Sequence, residues 1–256
     1  MADLREIVLR WPFLASPVHL MQCYRGSAYL PTPKHLWRLN QELVEFYQGP
    51  GAAWFICNLP YRMGKSEISS RGFPAWALLW NPDLRIMICG HGEDFARDEY
   101  GAEVKKIVEM FGPELGIKLR PDSKAKGQWK IEGHLGGMAC FGPDSGGVGY
   151  QADMYIIDDL IRNLAQALSP GEMEKHWNFF KGTVFSRLTN KSKLAVVGTR
   201  WGRRDIFGRV MDLARRSGKS YKHVRFPAFA MERDIDPKTG TDLIGRKVGE
   251  PLWPEH

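Results

Sequence analysis

The stretch LPYRMGKSEIS, residues 59–69, closes on Gly64-Lys65-Ser66, the tripeptide that ends a phosphate-binding loop. The eight-residue form of such a loop carries a glycine five positions before Gly64, and Leu59 stands there instead. The tripeptide alone decides nothing, and the chain carries its own control in a second copy, Gly218-Lys219-Ser220. That copy follows a helical pattern and precedes a strand, the wrong order. The first copy follows the apolar run AAWFICNL (52–59), a buried strand, and opens a helix from about Lys65 to Trp80. In this order the backbone N–H groups point into the loop, and the helix N-terminus offers positive partial charge to phosphate oxygens. Lys65 then reaches the β- and γ-phosphates, the Ser66 hydroxyl ligates Mg²⁺, and Pro60 fixes the turn that the missing glycine would have made.

Outward from this loop, short apolar runs alternate with amphipathic ones. LRIMICG (84–90) reads as a second buried strand, followed by a helix through EDFARDEYGAEVKKIVEMF. GQWKIEG and GGMACFG read as two shorter strands around Gly133–Gly137, in a hairpin. MYIIDD (154–159), KLAVVGT (193–199) and YKHVRFPAF supply the remaining strands. RRDIFGRVMDLARRSG is helical, with Ile206, Val210 and Leu213 on one face and Asp205, Arg209, Asp212 and Arg216 on the opposite one. Near-continuous apolar strands alternating with helices imply an α/β fold, a mostly parallel sheet covered by helices on both faces. Residues 1–50 read as a helical, peripheral region, residues 51–233 as the core, and 234–256, rich in Gly, Pro and charge, as a hairpin or linker.

Composition excludes several classes. With 43% hydrophobic and 25% charged residues, the 256-residue chain reads as one large globular domain, or at most two. Glu6, Arg10, Trp11 and Pro12 break the N-terminus before any apolar run develops, against a secretory signal. No stretch approaches the roughly 18 apolar residues of a membrane span. Cys23, Cys57, Cys89 and Cys140 lie far apart and the seven histidines lack ligand spacing, against zinc or a disulfide framework. The net charge is +7, but the excess is concentrated: between Lys181 and Arg225 thirteen Lys/Arg face only Asp205 and Asp212. Such a segment suits a polyanionic partner, and equally a solvated basic helix face.

A magnesium-dependent site also needs a carboxylate, and parallel strands deliver functional groups at their carboxyl ends. MYIIDD places Asp158 there to hold Mg²⁺ through water, and Asp159 to orient or deprotonate an attacking water. VVGTRW (196–201) brings Thr199 to a neighbouring strand end, where a hydroxyl could sense the γ-phosphate.

Together these stretches resemble the large, motor subunit of viral DNA-packaging terminases: PYRMGKSE as the phosphate loop, IIDD as the acidic strand end, SRL…KLAVVGTRWGRRDIFG as the coupling segment, and PLWPEH as its close. The resemblance covers about residues 20–256. It implies an additional-strand, RecA-like P-loop ATPase that works as a homo-oligomeric ring in the host cytoplasm. The ring docks transiently on the portal protein of a procapsid, with a small terminase subunit as a further partner, and pumps double-stranded DNA inward. It implies an ATP site from Arg62, Met63, Gly64, Lys65, Ser66 and Glu67, with Arg62 a phosphate-side helper and Gln22, Tyr24 and Arg25 on the adenine side. Asp158 becomes the metal-holding acid, Asp159 the catalytic carboxylate and Thr199 the coupling residue.

Two departures stand out. Relatives continue into a nuclease domain, so the chain ending at His256 reads as a motor without its nuclease. Relatives also carry an arginine donated to a neighbour's ATP, a device worth ~10³–10⁵ in rate, and residues 131–153 hold no Arg or Lys. Either Arg200, Arg203 or Arg204 supplies it, or the position held by Ala139 has been altered. For DNA, Lys191, Lys193, Arg215, Arg216 and Lys219 are the candidates. A RecA-like helicase or translocase core, a small-molecule kinase, and an ATP-binding assembly module with little turnover remain as rival readings.

Overall fold

The computed structural model describes residues 4–51, 53–145 and 151–255. Ala52, first in the expected leading strand, and residues 146–150 of the arginine-free stretch lie outside them. Seven strands form one sheet: β1 (Trp54–Asn58), β2 (Arg85–Cys89), β3 (Gln128–Lys130), β4 (Gly137–Phe141), β5 (Met154–Asp158), β6 (Lys193–Gly198) and β7 (Tyr221–Arg225). Their order is β3-β4-β2-β5-β6-β1-β7. Every pairing is parallel except the β3–β4 hairpin at the edge. Both the mostly parallel sheet and the hairpin follow the sequence reading.

Alternation along each strand separates two cores. Phe55, Cys57, Ile86, Ile88, Ile156 and Val197 face one side. There they meet α2 (Pro17–Arg25), α3 (Lys34–Gln48), α4 (Phe73–Trp80) and α6 (Ala102–Phe111), with α1 (Leu4–Arg10) and the short α5 (Glu93–Phe95) nearby in the chain. Ile56, Met87, Tyr155, Ile157 and Val196 face the other, against α8 (Pro170–Phe179), which follows the short α7 (Leu164–Leu168), and α9 (Ile206–Arg216). Burial on both faces is why these strands carry no polar alternation.

Four expectations need correction. The N-terminal region is not peripheral: Leu20, Met21, Leu39 and Leu43 are fully buried in the first core. The tail is docked, not a free linker, for Leu252 joins that core and a buried Arg246–Asp242 ion pair at 2.8 Å pins the turn before it. A small hairpin does form within it, bridging Asp236 and Thr241. Asp205 is not on the exposed face of α9 but buried at its start, accepting from the N–H groups of Trp201, Gly202 and Gly208 at 2.9–3.0 Å. Ala139 is 1% exposed in the middle of β4, flanked by β2 and β3. An arginine there would place its charge inside the sheet's packing and not before a neighbour's ligand, so that position is no arginine-donor site. Among the described residues, no helix is long and apolar enough to cross a membrane.

Candidate nucleotide site

Strands β5, β6 and β1 are adjacent and parallel, so Asp158, Gly198 and Asn58 end side by side. Out of β1 the chain turns through Tyr61–Gly64 and enters a helix at Lys65 that runs to Trp80. The turn needs left-handed backbone at Arg62 (φ 62°) and Gly64 (φ 73°). Gly64 provides this without cost, whereas Arg62 is held there against its steric preference. Asp159, just beyond β5, is also left-handed (φ 43°). Non-glycine residues in this region are strained and recur at functional sites.

These turns enclose a cleft of about 570 Å³ lined by Gly64, Lys65, Ser66, Tyr100, Asp159 and Arg162, among others. Lys65 is 5% exposed and pairs with Asp159. Burial opposes the lysine's charge, but Asp158 and Asp159 more than offset it and hold its pKa above the usual value. Asp159 also accepts the Thr199 N–H at 2.8 Å, so one carboxylate joins the residues after the Tyr61–Gly64 turn to the end of β6. Asp158 is wholly buried and its Oδ2 accepts from Ser70 Oγ at 2.6 Å. Its pKa is raised, first by burial and then by the Asp159 charge, with Lys65, Ser66 and Ser70 pulling the other way.

Among the described residues, two buried polar atoms here have no hydrogen-bond partner: Asp158 Oδ1 and Thr199 Oγ1. A desolvated carboxylate oxygen without a donor is costly, and beside the Ser66 hydroxyl it suits a hard cation. No cluster of three or more acidic, His or Cys ligands exists among the described residues.

Of the residues expected at the site, Arg62, Gly64, Lys65, Ser66, Glu67 and Asp159 line the cleft, with Asp158 beneath it and Thr199 bonded to Asp159. Met63 turns its side chain into the core, and its carbonyl accepts from His35 Nε2 at 2.9 Å. Gln22, Tyr24 and Arg25 do not line the cleft. Gln22 donates to Thr32, Tyr24 to Glu103, and Arg25 pairs with Glu67 and Glu103, so an adenine-side role falls at most to Arg25 through Glu67. Sequence reasoning missed Ser70, Tyr100, His91 and Arg162. Ser70 and Tyr100 each lie in a π turn, Glu67–Gly72 and Ala96–Gly101, geometry that often marks functional sites. The Ser69-Ser70 pair, buried in the helix that follows the loop, was the one visible signal.

The basic candidates divide. Lys191 and Arg216 are exposed, Arg215 pairs with Asp212, and Lys219 bonds Asn190. Lys193 is turned inward onto the carbonyls of Phe46 and Gly49, and burial lowers its pKa, which removes it as a DNA contact. Arg200 is held by Asp205, leaving Arg203 and Arg204 exposed on the same loop.

Compared with solved structures, the chain superposes on the large terminase of the thermophilic bacteriophage D6E with a TM-score of 0.50, at 16% identity, over 73% of this chain and 44% of that one. The fold is that of phage large terminases. The large terminase of bacteriophage HK97 (TM-score 0.48, 15% identity, 80% of this chain, 42% of that one) and the N-terminal domain of the DNA packaging ATPase from bacteriophage phi29 (0.45, 11%, 68% and 85%) are also similar. No protein-family model and no curated protein matches the sequence. The chain spans less than half the length of the thermophilic phage terminase, and identities this low establish the terminase fold, not the reaction.

Proposed function

We propose that this chain hydrolyses ATP to move double-stranded DNA into a viral procapsid. In this reading it acts as a ring of copies docked on the portal, with the small terminase subunit as partner, in the host cytoplasm. The observation that carries the reading is the path Lys65–Asp159–Thr199, which ties a phosphate loop to a second strand end through one carboxylate. Loop amides and Lys65 would bind the phosphates, and Asp159 would hold water in line with the γ-phosphorus and take its proton. Ser66 and, through water, Asp158 would hold Mg²⁺, which when bound neutralises charge on the phosphates. Thr199, bonded to Asp159 through its backbone, would pass any shift of that carboxylate to α9 and its basic residues.

ATPase rate measured against protein concentration, with and without duplex DNA, tests the reading. Specific activity that rises with concentration and with duplex, and is abolished in Lys65→Ala, supports a ring motor. Phosphate transfer to an acceptor other than water would make it a kinase, a preference for single strands a helicase, and ATP binding without turnover an assembly module.

A further inference from the structure

Of the cations lining the cleft, Lys65 is paired with Asp159, and Arg71 with Glu67 and Glu99. Among the described residues, Arg62 and Arg162 have no carboxylate partner. Arg62 stands on the phosphate loop beside the Tyr61 ring, 5.7 Å from its centroid. Arg162 lines the same cleft from a different segment, three residues beyond Asp159 on the chain leaving β5. Its backbone is fixed, since its N–H donates to Gln166 Oε1 at 2.8 Å and Asn163 caps α7 immediately after it. The residue is nonetheless exposed, and its guanidinium pairs with no carboxylate among the described residues. His91 shares this cleft, and its pKa is lowered by burial and by the Arg162 charge, with Asp158 acting against them. Arg162 is a permanent positive charge lining the same cleft as Lys65.

We propose that Arg162 is a phosphate-contacting residue that binds the terminal phosphate of the nucleotide held by the same chain. The inference rests on the nucleotide reading above and adds to it a cation that needs no neighbouring copy. A contact made only to the third phosphate distinguishes tri- from diphosphate. Losing one charge-assisted contact weakens binding by roughly 10- to 100-fold.

The test compares AMP-PNP and ADP, each with Mg²⁺, binding to the wild-type chain, Arg162→Ala and Arg162→Lys. Binding is measured at a dilution where light scattering reports monomers. Arg162→Ala is expected to lose AMP-PNP affinity by that factor while ADP affinity stays within about twofold, and Arg162→Lys to recover part of the loss. Equal losses for both nucleotides, no loss for either, or a difference that emerges only when copies associate would each overturn the assignment. If the wild-type chain binds neither nucleotide, the nucleotide reading itself fails, an outcome separate from unchanged discrimination in Arg162→Ala.

Discussion

Gly198→Ala is a sharp probe of Asp159, because it changes that carboxylate's position without touching its chemistry. A Cβ on Gly198 would lie 2.5 Å from Asp159 Oδ1 and 3.0 Å from Phe207 Cζ. Ordinary contact begins at 3.4 Å, so the carboxylate must retreat by roughly 0.9 Å, the difference between 3.4 and 2.5 Å. Phe207 is buried in the second core and cannot give way on the other side. The backbone at φ 157° adds strain that glycine escapes. Overpacking of this kind costs about 1–3 kcal/mol. The retreat also stretches the 2.8 Å bond from the Thr199 N–H to Asp159, a bond to a charged acceptor. The combined loss of stability is expected near 3 kcal/mol, about what overpacking and one such bond cost together. A misplacement near 1 Å lowers a positioned reaction by about 100-fold. Thermal unfolding, Mg²⁺-ADP binding and single-turnover phosphate release together read the outcome: a lower midpoint, ADP affinity nearly unchanged, and phosphate release slowed about 100-fold. Gly202→Ala, in the same loop with nothing within 4 Å of its would-be Cβ, should match wild type in all three. A Gly198→Ala protein that releases phosphate at the wild-type rate would remove Asp159 from the chemistry.

Asp158→Asn should abolish Mg²⁺-dependent nucleotide binding and flatten the pH dependence of stability. Because the folded-state pKa of Asp158 is raised, its contribution is fully present below the unfolded carboxylate pKa and is lost as pH rises through the folded value. The wild-type midpoint should therefore fall relative to the variant's from about pH 4 upward, and parallel curves would refute the buried-carboxylate argument. For DNA, Arg216→Ala should weaken duplex binding and reduce the slope of log affinity against log salt by about one unit. Lys193→Ala should leave that slope unchanged and lower stability by about 1–2 kcal/mol, since it strips the Phe46 and Gly49 carbonyls of their donor. A salt slope that changes for Lys193 and not for Arg216 would reverse the assignment.

The sheet was legible because strands buried on both faces cannot hide: AAWFICNL, LRIMICG and KLAVVGT carry continuous apolar runs, with polar residues (Asn58, Arg85, Lys193, Thr199) only toward their ends. The loop was legible as an element because the predicted order, strand then Gly-Lys-Ser then helix, is the order the chain takes after β1. What sequence spacing could not convey was which residues from distant segments complete the site. Ser70 reaches Asp158 across 88 positions, and Tyr100 comes from a helix that reads as an ordinary amphipathic one. The N-terminal helices seemed peripheral because their apolar residues are interleaved with His, Gln and Arg. The tail read as a linker because its anchors are few and scattered among Gly, Pro and charge: the buried Arg246–Asp242 pair and the apolar residues Ile244, Leu252 and Trp253. Asp205 illustrates the same limit. On a helical wheel it falls with the exposed residues, yet as the cap it is buried, and capping is decided by where the helix begins.

Asp159 explains why this architecture suits coupling. Its carboxylate is shared between Lys65 at the start of one helix and the Thr199 N–H at the end of β6. Its backbone is strained, and Gly198 leaves no room beside it. On the proposed reading, a phosphate entering the loop would compete with Asp159 for Lys65, so that binding an anion would release this carboxylate. A released carboxylate either keeps its bond to Thr199 and carries that loop with it, or gives the bond up and exposes the Thr199 N–H. In both cases what happens at the phosphate loop is felt at residues 199–205, where Asp205 sets the start of α9. Tight packing makes such a site respond by switching between discrete arrangements more than by gradual deformation. The expectation that follows is concrete: amide exchange at 199–205 should change on adding Mg²⁺-ADP, and the change should vanish in Asp159→Ala while ADP still binds.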